Sequence, residues 1–395
     1  MIGSVTVVGA SLAGLSAARA LRSQGYDGTL TLVGAEPHLP YDRPPLSKGL
    51  LTGALDAHAI TLLADDDADL AINWRLGVPA IALRPAERAV DLADGSRVTG
   101  DAVVLATGAA PRRLPGNDHL IGVHVLRTLD DALALREDLQ PGAALVIVGA
   151  GFIGAEIAAS ARSLGLEVTV VEALPTPLAG PLGVEMGAAV AGLHAAHGVH
   201  LLVGTGVAEL VGTVRVTAVR LTDGRTLPAD VVVIGIGVRP NVDWLAGSGV
   251  TVQDGVVTDA GCATSVPNVV AVGDCASFYD VVLGRQRRIE HWTHALQQPA
   301  TAASTLLTGV AAPYRALPYF WSEQYGRQIQ FAGTRADGDV VTVVHGSIEE
   351  QSFVATYERA GKLAAVLGVA AIGPFTKWRR TLRTQHDART ETPTA

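Results

Sequence analysis

Gly149, Gly151 and Gly154 are spaced G-x-G-x-x-G, directly after the apolar run 144–148 and before a segment of helical period. A turn of this kind lets its backbone approach a pyrophosphate, and the helix behind it offers unpaired N–H groups and the positive end of its dipole to the phosphates. A second copy starts 140 residues earlier (149 − 9), with Gly9 and Gly14 in place and Ser11 at the middle position. Serine is the smallest substitute for that glycine, so the backbone can still come close. Each copy closes on a carboxylate. Glu172 follows Gly149 by 23 residues, where an acid accepts from a ribose 2′-OH, and no Arg or Lys occurs from 173 to 192 to hold a 2′-phosphate. That pattern selects NADH over NADPH. Glu36, 27 residues after Gly9, takes the equivalent place for the ribose of the first site.

The elements that position these groups repeat as well. Residues 4–36 and 144–172 both read as an apolar strand, a glycine turn, a helix closed by Gly25 or Gly165, and a second apolar strand. This is a βαβ unit, with parallel strands and a right-handed crossover. The period is far too long for a solenoid, so two nucleotide-binding domains are expected. Three further apolar strands end in small-residue turns: 102–108 at Thr107 and Gly108, 231–237 at Gly235 and Gly237, and 269–274 at Asp274. Such turns can abut a cofactor, and Asp274 can bond a ribityl hydroxyl beside a helix start. Turn signals at Asp337–Gly338 and Ala360–Gly361 then separate the runs 340–344, 351–357 and 362–369, which read as an antiparallel sheet with one solvated face. A basic stretch (Lys377, Arg379, Arg380, Arg383) precedes a polar tail from 386 that composition predicts to be disordered.

Composition sets the outer bounds. A chain of 395 residues, 48% hydrophobic and 17% charged, makes two or three domains with a real core, not a disordered or disulfide-stapled chain. Mean hydropathy is +0.31, yet no apolar stretch approaches the roughly 20 residues a membrane span needs. A formal net charge of −8 argues against nucleic acid as a partner. Cys262 and Cys275 stand 13 positions apart, which makes neither a CxxC pair nor a metal cluster; two buried thiols are expected. The first strand begins at Ser4 and leaves no room for a signal peptide, so a cytoplasmic location is expected.

With both fingerprints, the three small-residue turns, YDRPPLSK at 41–48 and FWSEQY at 320–325, the sequence resembles the FAD-dependent NADH:ferredoxin reductases of bacterial oxygenase systems, of the putidaredoxin-reductase and biphenyl-dioxygenase-reductase type. The resemblance runs from about Val5 to Arg383. It implies an α/β fold with two Rossmann-like dinucleotide-binding domains of the glutathione-reductase kind and a C-terminal α+β domain with an antiparallel sheet. Residues 1–110 with 241–319 would bind FAD, 111–240 would bind NADH, 320–385 would form the C-terminal domain, and 386–395 a flexible tail.

The resemblance also implies roles. Gly9, Ser11, Leu12, Ala13 and Gly14 would wrap the FAD pyrophosphate, with Glu36 on a ribose. Arg43, Arg127, Thr107, Gly108, Asp274, Trp292 and Trp321 would contact FAD, and Lys48 would lie near flavin N5, paired with Glu156. Gly149, Gly151, Ile153, Gly154, Glu172, Gly235 and Gly237 would line the NADH site, gated by Phe152. Residues 37–51 hold no cysteine, unlike the disulfide reductases and flavin peroxidases of similar architecture. Electrons would therefore leave the flavin without a thiol relay. The implied acceptor is a [2Fe–2S] ferredoxin serving a P450 or ring-hydroxylating oxygenase. Ferredoxins are generally acidic, so a local basic patch is expected despite the net charge of −8, and Arg285, Arg287, Arg288, Lys377, Arg379, Arg380 and Arg383 are its candidates. Rubredoxin or a quinone as acceptor would leave every motif unchanged. An apoptosis-inducing-factor-like redox sensor is the reading from a different class.

Overall fold

A computed structural model describes residues 2–116 and 119–391. Each fingerprint sits in a five-stranded, all-parallel sheet. The first has the order Val269–Ala271, Ala102–Leu105, Ser4–Val8, Thr29–Val33, Ile72–Arg75. The second has the order His200–Val203, Glu167–Glu172, Ala144–Val148, Val231–Ile234, Val123–His124. Helices cover one face of each sheet, and a three-stranded antiparallel sheet covers the other: Ala80–Arg84, Ala89–Leu92 and Arg97–Thr99 on the first, Val207–Gly212, Val216–Leu221 and Thr226–Pro228 on the second. With both faces covered the central strands are mostly apolar, and Val5, Val7, Val8 and Val231 through Ile234 are all buried.

The repeat seen in the sequence is a repeat in space. The helix Leu12–Ser23 follows the first glycine turn, and Phe152–Ser163 follows the second. Both are rich in Ala and close in the same way, with Tyr26 N–H donating to the Leu21 carbonyl (3.0 Å) and Leu166 N–H to that of Ala161 (3.1 Å). Only glycine can begin either turn. Gly9 has φ +121°, and a Cβ there would lie 2.0 Å from the Ala106 carbonyl oxygen; Gly149 has φ +103°, and its Cβ would lie 2.3 Å from that of Gly235. Each fingerprint is thus wedged against the small-residue turn of the neighbouring strand. The two parallel sheets are joined by a short antiparallel ribbon, Ala109–Pro111 against Val238–Pro240, with Pro111 opposite Val238.

A further, five-stranded antiparallel sheet has the order Tyr319–Gln324, Arg327–Gly333, Lys362–Val369, Ser352–Arg359, Val340–Ser347. It departs from the expected single solvated face. One face packs Phe331, Phe353, Tyr357 and Leu367 on Leu182, Met186, Val190 and Leu193; the other packs Val354 and Val366 on Phe375 and Leu382. Only the edge strand Val340–Ser347 keeps an alternating exposed side. The expected disordered tail needs correction as far as Glu391, because the helix Ile372–Glu391 covers those residues. Phe375 and Leu382, seven residues apart on one helical face, are buried, and His386 donates through Nε2 to the Arg315 carbonyl at 2.9 Å. Residues 392–395 lie outside the described part. Among the described residues no helix is long and apolar enough to cross a membrane. Both cysteines are buried free thiols.

Candidate active site

The C-terminal ends of the two parallel sheets and the strand Tyr319–Gln324 surround a cleft of about 1570 Å³. This is where open α/β sheets place their ligands. Of the expected residues, Gly9, Ser11, Leu12, Ala13, Glu36, Arg43, Lys48, Thr107, Gly108, Arg127, Gly151, Phe152, Ile153, Gly154, Glu156, Gly235, Gly237, Asp274, Trp292 and Trp321 all line it. Gly14 and Gly149 do not: they stand behind the wall, where a Cβ on Gly14 would strike the Gly9 carbonyl oxygen at 1.8 Å. Glu172 is also off the wall, at the end of its strand. Its Oε2 accepts from Ala150 N–H (2.9 Å) and its Oε1 from Leu174 N–H (2.9 Å), so the carboxylate is anchored by backbone and each oxygen keeps a free lone pair.

On the first-fingerprint side the charges form a chain. Arg43 donates from Nη2 to Glu36 Oε1 (2.7 Å), from Nε to Ser11 Oγ (3.3 Å), and from Nη1 to the Arg127 carbonyl. Ser11, the departure from the glycine pattern, therefore gains a partner that glycine could not supply. Tyr41 donates its hydroxyl to Glu36 Oε2 and accepts from Leu129 N–H at 2.9 Å; burial pushes this phenol above its ordinary range. Arg127 Nη2 donates to Asp274 Oδ2 at 2.8 Å, while Arg127 Nε is buried with no partner. The Trp292 indole N–H donates to Asp42 Oδ1 at 2.7 Å, and burial raises that carboxyl above its usual value despite this bond. A backbone cradle closed to any Cβ, an unpartnered arginine nitrogen and a flanking acid fit a phosphate-bearing dinucleotide.

Deeper in, the expected Lys48–Glu156 pair is formed, with Nζ 2.6 Å from Oε2. Glu156 is 3% exposed, hence buried in the core of the cleft and not on a solvated helix face. Beside the pair Phe152 meets Phe320, centroids 4.9 Å apart, and Phe320 meets His291 at the same distance. Trp292 contacts Trp321 edge-on at 5.7 Å, Trp321 stacks on Tyr319 at 6.0 Å, and the Arg379 guanidinium lies 3.8 Å above the Tyr319 ring.

Sequence reasoning missed several of these groups. His291 entered only as a helix start, yet it lines the cleft with a buried, unpartnered Nδ1, and burial pushes its pKa down to about 4, keeping the imidazole neutral. Ser47, Phe320 and Ser322 lay inside the two quoted motifs without a role. The proposed basic patch is not one patch. Arg287 pairs with Asp280 (3.0 Å), Arg288 pairs with Glu290 (2.5 Å) and Asp254 (3.2 Å), and both line the cleft. Lys377, Arg380 and Arg383 are exposed on the C-terminal helix, and Arg285 is exposed elsewhere.

Comparison with known proteins agrees with this geometry. Residues 3–299 match the pyridine nucleotide-disulphide oxidoreductase family, and residues 319–392 match the reductase C-terminal family. Rhodocoxin reductase of Rhodococcus erythropolis is 40% identical over 353 residues, 89% of this chain and 82% of that one. The ferredoxin reductase for the CYP199A2 system of Rhodopseudomonas palustris superposes with a TM-score of 0.90 at 37% identity, covering 95% of this chain and 93% of its own. The covalent putidaredoxin reductase–putidaredoxin complex also gives 0.90, at 34% identity over 95% of this chain and 92% of that chain. The chain belongs to the pyridine nucleotide-disulphide oxidoreductase family, within its branch of ferredoxin reductases of oxygenase and P450 systems.

Proposed function

We propose that the protein oxidises NADH with a bound FAD and reduces a [2Fe–2S] ferredoxin that supplies a P450 or ring-hydroxylating oxygenase. The observation that carries this reading is that two glycine fingerprints open onto one cleft, with the Lys48–Glu156 pair between them. FAD, when bound, takes up a hydride as a two-electron unit and gives electrons back singly. One NADH thus reduces two ferredoxins, and one proton goes to solvent.

The chain's own residues bind and orient. Backbone N–H groups at Gly9 through Ala13 hold the FAD pyrophosphate, and Glu36, Arg43, Arg127 and Asp274 hold its polar groups. Gly151, Ile153, Gly154, Gly235 and Gly237 form the bed for NADH, with Glu172 on its ribose. Phe152 covers the nicotinamide position and must swing aside to admit it. Lys48 presents an ammonium whose charge Glu156 balances, so the site tolerates added negative charge without a stranded cation. The helix Trp292–Thr308 aims its positive end into the same cleft.

Residues 1–110 with 241–319 form the FAD unit, 111–240 the NADH unit and 320–385 the C-terminal unit; the ribbon at Ala109–Pro111 and Val238–Pro240 supports the first two boundaries. For ferredoxin docking we favour Lys377, Arg379, Arg380 and Arg383 over Arg287 and Arg288, whose charges are already compensated, because Arg379 leads through Tyr319 to Trp321. A reaction fed by NADH and two free buried thiols support the cytoplasm as its place.

An anaerobic stopped-flow mix of the yellow holoprotein with NADH, and separately with NADPH, tests the reading. NADH should bleach the visible flavin absorbance rapidly and NADPH slowly. No bleaching with either nucleotide would overturn it. Reversing Arg380 and Arg383 to Glu should then slow ferredoxin reduction and spare ferricyanide reduction; equal losses with both acceptors would remove the docking assignment.

A further inference from the structure

We propose that Ser322 is a positioning residue for hydride transfer, acting through Glu156 on Lys48; this rests on the flavin reading above. The strand Tyr319–Gln324 is the edge of its sheet and packs against the helices Phe152–Ser163 and Trp292–Thr308 at the wall of the cleft. Successive side chains of a strand point to opposite faces. On one face Phe320 touches Phe152 and the Ser322 hydroxyl donates to Glu156 Oε1 at 2.7 Å. On the other face Tyr319 and Trp321 meet Arg379 and Trp292.

The two contacts with the helix Phe152–Ser163 are in register. Positions 152 and 156 are about one turn apart, roughly 6 Å along a helix axis, and positions 320 and 322 are roughly 6.7 Å apart along a strand. The gate aromatic and the buried carboxylate are therefore held by neighbouring residues of a single strand face. Ser322 is itself fully buried, at 0% exposure.

The carboxylate of Glu156 has four donors. Oε2 accepts from Ser47 Oγ (2.5 Å) and Lys48 Nζ (2.6 Å), while Oε1 accepts from Ser322 Oγ (2.7 Å) and, at longer range, from Glu323 N–H (3.2 Å). Without the Ser322 hydroxyl, Oε1 keeps only the long bond, and at 3% exposure water has little access to replace the loss. The carboxylate then keeps its two short bonds on Oε2 but loses the short one on Oε1, so it can tilt about its last torsion, and Lys48, held by Oε2, shifts with it. The donors come from the 41–48 segment and the C-terminal sheet, whereas the acceptor stands on the helix of the second fingerprint, so this one carboxylate fixes the relative placement of three parts of the cleft.

The test uses holoprotein in anaerobic stopped flow, reading the flavin reduction rate at saturating NADH, the apparent NADH Kd and the flavin content. Ser322→Ala should lower the limiting rate per bound flavin roughly tenfold, the loss of one hydrogen bond to a charged acceptor, with the NADH Kd within about twofold of wild type. Ser322→Thr, which keeps the hydroxyl, should recover most of the rate. The double variant Ser322→Ala/Glu156→Gln should be no slower than Glu156→Gln alone. This cycle decides the matter even if the threonine variant does not fold. Additive losses in the cycle, or a wild-type rate in Ser322→Ala, would overturn the proposal. A wild-type protein that NADH does not reduce would instead overturn the flavin reading.

Discussion

Replacing Glu172 by Ser should collapse the preference for NADH. The carboxylate is pre-oriented, since Ala150 N–H and Leu174 N–H hold one oxygen each at 2.9 Å. A ribose hydroxyl that donates to it makes a hydrogen bond to a charged acceptor, worth about 1.5–3 kcal/mol. A 2′-phosphate in the same place carries close to two negative charges. At about 5 Å and the dielectric of water, repulsion by Glu172 costs about 1.7 kcal/mol. Glu172→Ser removes both effects, so the NADH/NADPH ratio of kcat/KM should fall by about 3–5 kcal/mol equivalent, a factor of a few hundred or more. Glu172→Gln should fall between: the amide keeps one acceptor oxygen, which can serve only one of the two backbone donors. The assay is steady-state reduction of ferricyanide with each nucleotide at several ionic strengths, because the repulsive part is screened and the hydrogen bond is not. A ratio within about threefold of wild type in Glu172→Ser would refute the argument and place the selectivity elsewhere in the cleft.

Three further outcomes are expected. Gly149→Ala should abolish reduction by NADH while the protein still copurifies with flavin, because a Cβ at φ +103° would overlap the Gly235 carbonyl at 2.3 Å within the second site only; normal NADH kinetics would contradict the wedge. Lys48→Met should lower the thermal midpoint by leaving Glu156 charged and unpaired, about 3–5 kcal/mol, and Lys48→Met/Glu156→Gln should recover part of it; a double variant as unstable as the single one would refute the pairing account. Acid should destabilise the fold through His194, His291 and His294, whose pKa values burial lowers to about 4, about 4 and about 3. Their folded values lie below the ordinary 6.5, so the stability they contribute is complete above pH 6.5 and is lost as pH falls toward 4, because the unfolded chain takes up protons that the folded one refuses. Midpoints measured from pH 7 to 4.5 should decline less steeply in His194→Asn; parallel curves would sink this assignment.

How much the sequence disclosed depended on whether a signal was local. The strands, glycine turns and acids of the βαβ units lie within about 30 residues of one another, the reach of a βαβ motif, and both fingerprints could be read. The Lys48–Glu156 pair came through the family resemblance alone, since 108 positions separate its partners. Nothing local in FWSEQY marks Ser322 as the donor to a carboxylate 166 residues away. Arg287 and Arg288 read as a docking patch because a charge run does not show which acids fold back on it, and Asp254 comes from 34 positions away. The terminal helix was a different kind of miss: Phe375, Trp378 and Leu382 carry a helical period, but the polar and basic residues between them hid it. The sheet before it reads as half-solvated for the same reason, since its second cover was that unrecognised helix.

The short ribbon between the parallel sheets has a consequence for how such a molecule can be built. Pro111 lies opposite Val238, so the chain leaves the first parallel sheet and returns toward it at one place, through two adjacent strands. An insertion anchored by a pair of strands resists twisting more than one on a single tether and yields chiefly by bending. The same adjacency makes the stretch between the strands a cassette. Its ends already meet, so a nucleotide-binding module of different preference that keeps the apolar face at Leu182, Met186, Val190 and Leu193 and the carboxylate at Glu156 could be spliced across Pro111 and Val238, and the host's own strands at 102–105 and 269–271 would stay paired as before.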